Sequence, residues 1–160
     1  MSVLITAASH AEAYKLDRIL QLPDVIFADH TDMPAVAFSG RKFIRIPRGS
    51  SPSYAHILLD LALNAGIDRI FPLYAEEILP LAESRQLFEE YGISVIVPSV
   101  LWLKNRQPDY CKGTSQLVVL EKGEAIAGSL PSDLKISAEF FSGIFTLDPQ
   151  DNFDFTLLAL

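Results

Sequence analysis

Between Lys42 and Pro98, three short apolar runs alternate with segments of helical character. The runs Phe43–Ile46, Arg69–Leu73 and Ser94–Val97 are rich in β-branched or aromatic residues, and Pro or Gly borders them. Strands that read as continuous apolar runs are typical of a parallel sheet that is covered on both faces. This stretch therefore predicts a β-strand, a crossover helix and a parallel β-strand, followed by a further helical segment and a third strand.

The segment after the first of these runs has a clear helical period. Ser51-Pro52 is a favourable helix N-terminus, and Gly66 stands where a left-handed residue commonly ends a helix. The apolar residues between them recur at helical spacing, so we expect one face to cover the sheet. The residues predicted on this face are Tyr54, Ile57, Leu58, Leu61, Ala62 and Ala65.

The same alternation extends toward both ends of the first hundred residues. We predict two further strands, at Val3–Ala7 and Val25–Ala28. The last two runs above become the fourth and fifth strands, over Ile67–Leu73 and Ile93–Val97. For residues 33–41, the sequence is compatible with either a short helix or an irregular connection. The fold class is α/β, an open parallel sheet of order 3-2-1-4-5 with helices on both faces. The further predicted helices are Ala11–Leu22, Ala75–Ala82 with Pro80 only in a first turn or at a break, and Ser84–Tyr91 ended by Gly92.

After Pro98 the character of the sequence changes. Strand-like runs are separated by Gly, Pro, Asp and Asn, and residues 121–124 are typical of a hairpin turn. We therefore divide the chain into an α/β domain, residues 1–99, and a strand-rich C-terminal extension packed on it, residues 100–160. The strands predicted in the extension are Leu117–Leu120, Ala125–Ala127, Phe140–Leu147 and Phe153–Leu160.

Composition excludes several classes of protein. The net charge of −7 argues against binding to nucleic-acid phosphates. No apolar run approaches the roughly 20 residues of a membrane-spanning helix, and the N-terminus lacks the basic segment of a signal peptide, so we expect a cytoplasmic protein. Cys111 is the single cysteine, and the histidines have no metal-ligand spacing, so no metal site is predicted.

Three ordered segments carry a resemblance to a known family. They are VIFAD ending at Asp29, the run FIRIPRGSSPSYAHILLDLALNAGIDRIFPL, and the block EEILPLAESRQLFEEYGISVIVPS. Together they make residues 1–99 resemble the pre-ATP-grasp domain, the Rossmann-like N-terminal domain of ATP-grasp ligases, especially carbamoyl-phosphate-synthase-like ones. The family's first turn generally contains glycine, where this chain has Ala8-Ser9-His10.

The resemblance ends near Ser99, so the extension is not a complete ATP-grasp domain. It shows no helix entered from an Asp-Lys pair, glycine-rich phosphate lid or set of magnesium-holding carboxylates. ATP-driven ligation, which the full family performs, is therefore not expected of this chain alone. The resemblance implies a partner, a separately encoded ATP-grasp protein, and ATP and magnesium only where that partner supplies their site.

In an open α/β sheet, ligands bind beyond the carboxyl ends of the strands, at the point where strand order reverses. For the predicted order this switch point lies between the first and fourth strands. Each candidate has a structural alternative: helix capping for Ser9, solvent exposure for His10, loop capping for Asp29, and complementing a helix dipole for the two glutamates. Arg48 lies in a Gly/Ser-rich loop before a helix, a setting that suits anions. The ligand-binding candidates are Ser9, His10, Asp29, Arg48, Ser50, Glu76 and Glu77.

These observations predict a stand-alone pre-ATP-grasp-like domain that acts as a non-catalytic binding or partner module. The alternative is a small enzyme or small-molecule-binding protein that uses the cleft at the ends of the first and fourth strands, with His10, Asp29 and Glu76 or Glu77 as its polar groups. A homodimer through the C-terminal strands is also expected, because the ending FTLLAL is so apolar.

Overall fold

The protein is described by a computed structural model, which covers residues 1–33, 40–105, 116–130, 141–147 and 155–160. Its first sheet has five parallel strands in the order β3-β2-β1-β4-β5, so the predicted fold class and strand order are confirmed. The described residues do not include Cys111. They also leave out residues 34–39, which are most of the connection whose structure the sequence did not decide. The strands are β1 Ser2–Ile5, β2 Asp24–Asp29, β3 Lys42–Arg45, β4 Ile67–Phe71 and β5 Ser94–Val95.

Helices flank this sheet at nearly the predicted places. Helix α2 ends at Gly66, whose φ of 65° is the left-handed conformation expected there. The predicted start was wrong by two residues, because Ser51 and Pro52 form a turn and Ser53 is the N-cap. Helix α5 was not anticipated, since its apolar residues gave no clear period. The helices are α1 Ala11–Leu20, α2 Tyr54–Ala65, α3 Ala75–Glu83, α4 Arg85–Glu90 and α5 Val100–Asn105.

Two local predictions in these helices need correction. Ile57 is 41% exposed, whereas Leu59, which was not assigned to the buried face of α2, is only 8% exposed. The apolar residues of α2 outnumber the positions that the sheet can cover, so periodicity alone did not fix the angular position of the face. Pro80 lies inside α3 rather than in its first turn, and the helical path breaks after it at Ser84, the N-cap of α4.

The sheet separates two hydrophobic clusters because successive strand residues point to opposite faces. One face, with Leu4, Ile26 and Ile70, packs with residues of α2, α3 and α4. The other face, with Ile5 and Phe27, packs with residues of α1. Helices thus cover both faces, as the apolar strands predicted.

The extension forms a second, antiparallel sheet in the order β7-β6-β8-β9. Lys122 and Gly123 have φ values of 50° and 82°, which is the backbone of a two-residue hairpin turn, so the predicted turn is confirmed. The last two strands are shorter than predicted, and Phe140 and residues 148–154 lie outside the described residues. The strands are β6 Gln116–Glu121, β7 Glu124–Ala127, β8 Gly143–Leu147 and β9 Phe155–Leu157.

The second sheet contributes to both hydrophobic clusters. Val118 and Phe145 belong to the α2 side, and Val119 and Ile144 belong to the α1 side. At the edge of the first sheet, the carboxylate of Glu121 contacts the Arg69 guanidinium at 2.9 Å. The two sheets therefore share their apolar interior.

The last residues return to the first sheet. Leu160 donates its backbone N–H to the Leu73 carbonyl at 2.7 Å, and the N–H of Ala75 donates to a Leu160 carbonyl oxygen at 3.0 Å. This pair of bonds is the pattern of a parallel bridge beside Tyr74, directly after β4. The C-terminal residues thus lie at the switch point. Within the described part of the chain, every helix is too short or too polar to cross a membrane.

Candidate functional site

The carboxyl ends of β1, β2 and β4 bring five polar or aromatic side chains together. We call Ser9, His10, Asp29, His30 and Tyr74 the strand-end cluster. Ser9 and His10 follow β1, Asp29 ends β2, and Tyr74 follows β4. These three strands are neighbours, so residues far apart in sequence meet at one edge of the sheet. Three of the ligand-binding candidates, Ser9, His10 and Asp29, therefore lie at this edge.

Asp29 is the centre of the cluster. Its carboxylate is fully buried and accepts hydrogen bonds from the backbone N–H and the Oγ of Ser9, both at 2.8 Å. The backbone N–H and Oγ1 of Thr31 donate to it at 3.0 Å, and the Tyr74 hydroxyl donates at 3.1 Å. Burial alone would raise the pKa of Asp29, but the donors from Thr31 and Ser9 outweigh it, and the pKa is lowered. Asp29 thus stays ionised and ties two loops together, which agrees with loop capping.

Ser9 does not cap α1, contrary to one predicted role. Its hydroxyl bonds to Asp29, and His10 occupies the N-cap position without a side-chain cap. The chain reaches this arrangement through Ala7, whose φ of 57° is a conformation that glycine adopts more easily. The glycine expected from the resemblance is absent, yet the turn keeps a glycine-like backbone.

Two histidine rings lie against Tyr74. The ring of His10 meets it edge-on at 5.5 Å between centroids, and the ring of His30 is tilted against it at 4.9 Å. The Nδ1 atom of His30 is 3.5 Å from the Asp29 carboxylate. Burial, together with the negative charge of Asp29, raises the pKa of Tyr74 to about 12, so the phenol keeps its proton at neutral pH. Tyr74 is therefore a permanent donor to Asp29.

The strand-end cluster contains a hydroxyl and an imidazole, as a nucleophilic site does, but not in the arrangement that such a site needs. The Oγ atom of Ser9 lies 3.2 Å from Nδ1 of His10, within reach of proton transfer. A nucleophile–base pair also needs a third group that orients the base. Among the described residues, no carboxylate contacts the ring of His10, and Asp29 bonds to Ser9 instead. Within the described part of the chain, the strand-end cluster thus has a hydroxyl–imidazole pair without a carboxylate that orients the imidazole.

The two glutamates after β4 occupy different environments. Glu76 is exposed, whereas Glu77 is only 1% exposed and lies in the first turn of α3. The hydroxyl of Thr6 donates to the Glu77 carboxylate at 2.6 Å, and the backbone N–H of Tyr74 lies 3.4 Å from it. In turn, the N–H of Leu73 donates to Thr6 Oγ1 at 2.8 Å. Glu77 therefore complements the start of α3, but its carboxylate points inward and is not paired with Glu76.

Burial raises the pKa of Glu77 to about 7, with a smaller contribution from the charge of Glu76, while the bonds from Thr6 and Tyr74 oppose the rise. Tyr54 is also fully buried, and among the described residues its hydroxyl finds no hydrogen-bond partner of normal geometry. Burial and the nearby charge of Glu77 raise the pKa of Tyr54 well above its ordinary value. Sequence reasoning missed Thr6 and Tyr54; a hydroxyl at the end of the apolar run VLITA was the available signal.

The loop after β3 packs against the start of α3, which follows β4. A Cβ atom on Gly49 would lie 2.6 Å from the backbone carbon and oxygen of Glu76, so glycine is required for this close approach. Arg48 and Ser50, on either side of it, are exposed. The loop at Gly49 and the bridge from Leu160 thus both contact the segment that follows β4.

An open groove of about 460 Å³ lies beside the cluster, above β2 and β3. It is lined by His30, Arg45, Ile46, Pro47 and Arg48. Arg48 was predicted as a candidate, and Arg45 was missed because the last residue of a short strand gives no distinctive signal. Among the described residues, no group of three or more His, Cys, Asp or Glu could hold a metal ion.

No known family model matches the chain, and no curated protein is significantly similar to it.

Proposed function

We propose that this chain is a stand-alone pre-ATP-grasp-like domain that serves as a non-catalytic binding or partner module. Its partner would be a separately encoded ATP-grasp protein, which would supply the sites for ATP and magnesium. The proposal rests on the sequence resemblance over residues 1–99, and the sheet order 3-2-1-4-5 is compatible with it. We expect the module in the cytoplasm.

One observation carries the non-catalytic part of the proposal. Two carboxylates at the strand ends, Asp29 and Glu77, are both buried, whereas the neighbouring Glu76 is exposed. Asp29 accepts five hydrogen-bond donors from loop residues and Tyr74, and Glu77 accepts from Thr6. A general base must reach the proton that it abstracts in a bound substrate. These carboxylates support the fold of the strand ends instead.

Titration of the isolated chain with Mg-ATP tests the proposal. We expect no heat of binding in the micromolar range, and a stable complex when the chain is mixed with an ATP-grasp protein encoded beside it in the genome. Size exclusion with light scattering would show that complex as a defined mass. Micromolar binding of Mg-ATP by the chain alone would refute the proposal.

Small-molecule binding at the strand ends is the second candidate. It is favoured by the exposed position of Ser9, whose hydroxyl is shared between Asp29 and the half-buried His10. Alanine substitution at His10 would weaken binding in this case, whereas substitution of Ile57, an exposed residue of α2, would leave it unchanged.

The homodimer through the C-terminal strands stays a prediction that light scattering of the chain alone tests. Leu157, Leu158 and Ala159 are each 2% exposed within one copy of the chain. Their apolar character is therefore accounted for by contacts inside the protomer.

A further inference from the structure

The groove above β2 and β3 gathers positive charge on a protein whose net charge is −7. We call its lining residues, His30, Arg45, Ile46, Pro47 and Arg48, the basic groove. The two arginines reach it from the end of β3 and from the loop that follows, and His30 reaches it from the end of β2. Three basic side chains from two neighbouring strands therefore face one open volume.

Neither arginine is committed to a strong internal contact. Arg48 is exposed and makes no ion pair within the described part of the chain. Arg45 contacts Asp32 at 2.8 Å, but the two side chains are 64% and 80% exposed. Exposed ion pairs contribute little, so Arg45 can exchange Asp32 for a stronger anion at small cost.

His30 is held from inside, unlike the arginines. Its side chain is 16% exposed, and it lies between the ring of Tyr74 and the Asp29 carboxylate. Asp29 is itself fixed by Ser9 and Thr31, so the imidazole has a stable position at the groove wall. The groove thus combines one imidazole held by its neighbours with two exposed guanidinium groups.

The loop after the groove strengthens this character. Arg48, Gly49 and Ser50 precede α2, a helix of 12 residues, whose N-terminal end carries partial positive charge. Gly49 is pressed against the backbone of Glu76, which fixes the path of the loop beside Arg48. The negative groups near the groove include Asp29, which is buried and saturated by donors, the exposed Asp32, and the exposed Glu76, whose backbone packs against Gly49.

We propose that the basic groove is a binding site for a phosphoryl group, with His30, Arg45 and Arg48 as its donors. A planar carboxylate is satisfied by a single bidentate arginine, whereas a phosphoryl group has more oxygens and can accept N–H donors from both arginines and the imidazole that line the groove. Inorganic phosphate and a phosphate monoester share this chemistry. The site goes beyond the partner role proposed above and does not depend on it, because the groove is formed by this chain alone.

The test is a titration of the full chain at low salt, followed by nitrogen–proton correlation NMR. Inorganic phosphate, glycerol phosphate and succinate are the three probes. The variants are Arg48→Gln and Arg45→Gln, and the control is Arg18→Gln, an exposed arginine in the last turn of α1. All three substitutions remove one surface charge, and unchanged backbone spectra outside the substituted region verify folding.

We expect saturable shifts at His30, Arg45 and Ser50 with a dissociation constant for phosphate of about 1 mM or below. Arg48→Gln and Arg45→Gln should each weaken binding by about tenfold, while Arg18→Gln stays within about twofold. Tighter binding of glycerol phosphate than of phosphate would identify an ester as the preferred ligand, weaker binding would identify the free anion, and equal binding would show that the site recognises only the phosphoryl group.

Three results would overturn the proposal: no saturable shift, equal loss in Arg18→Gln and Arg48→Gln, or succinate binding as tightly as phosphate. The outcome is separable from that of the partner proposal, which is read from Mg-ATP binding and complex mass. If the chain binds phosphate but no partner, the phosphate proposal stands alone. If it binds a partner but no phosphate, the partner proposal stands alone.

Discussion

Replacing Glu77 by glutamine should make the protein more stable above neutral pH and change its stability little in mild acid. Glu77 is 1% exposed, and burial raises its pKa from 4.5 to about 7. Above that value the folded protein must hold a buried negative charge. Glutamine has the same shape, keeps an oxygen for the Thr6 hydroxyl, and presents an amide donor toward the buried hydroxyl of Tyr54.

The sign and size follow from proton linkage. Between pH 4.5 and about 7 the folded state retains the proton of Glu77 while the unfolded state loses it, so stability falls as pH rises. A pKa difference of about 2.5 corresponds to about 3 kcal/mol, since each pKa unit is worth about 1.4 kcal/mol. The wild-type protein therefore loses about 3 kcal/mol through this group by pH 7.5, and the variant does not.

Urea unfolding of both proteins at several values between about pH 5 and about pH 8 measures the difference. Glu76→Gln is the matched control, because it removes the same formal charge from an exposed neighbouring position in the same helical turn. We expect the control to lose at most about 1 kcal/mol, the size of a helix-dipole contribution. A stability difference between Glu77→Gln and wild type that is the same at both ends of the range would refute the reasoning.

Two further substitutions test the strand ends. Asp29→Asn should cost about 2–3 kcal/mol near pH 7, because donors from Ser9 and Thr31 lose a charged acceptor. Folding lowers the pKa of Asp29, so the wild-type protein loses this stabilisation as pH falls below the ordinary value of 3.8. The difference in free energy of unfolding between wild type and Asp29→Asn, measured with urea, should therefore become smaller in acid. Gly49→Ala should cost about 1–3 kcal/mol, because its methyl group meets the backbone of α3. Gly66→Ala, where only the positive φ is unfavourable, should cost about 1 kcal/mol, and equal thermal shifts for the two variants would contradict the close approach at Gly49.

The order of the parallel sheet was predictable because it depends on local patterns and one rule of chain topology. Short apolar runs such as Val25–Ala28 alternate with helical segments, and right-handed crossovers restrict the order in which such strands assemble. The hairpin at residues 121–124 was equally local, since Gly123 supplies the positive φ that the turn needs. Patterns of this kind need no knowledge of distant residues.

The parts of the site that escaped prediction depend on register. Thr6 reaches Glu77 because the end of β1 lies beside the end of β4, where the N–H of Leu73 meets the same hydroxyl 67 residues away. Glu76 and Glu77 were treated together because they are adjacent in sequence. In the structure Glu76 faces solvent, whereas Glu77 faces the core. A helix separates neighbouring side chains by about 100°, so adjacency does not imply a shared environment. The proximity of Ser9 and Asp29, by contrast, followed from strand order alone.

The bridge between Leu160 and the end of β4 has a consequence for how the chain folds. Leu73 and Leu160 are 87 positions apart, so their pairing closes a very long loop and can form only after Leu160 has been synthesised. Until Val119 and Leu158 have been synthesised, the apolar surfaces of the first sheet that they cover are open to water. Such partly covered intermediates are prone to aggregation. Synthesis of the residues up to Leu160 is therefore the event that removes this risk.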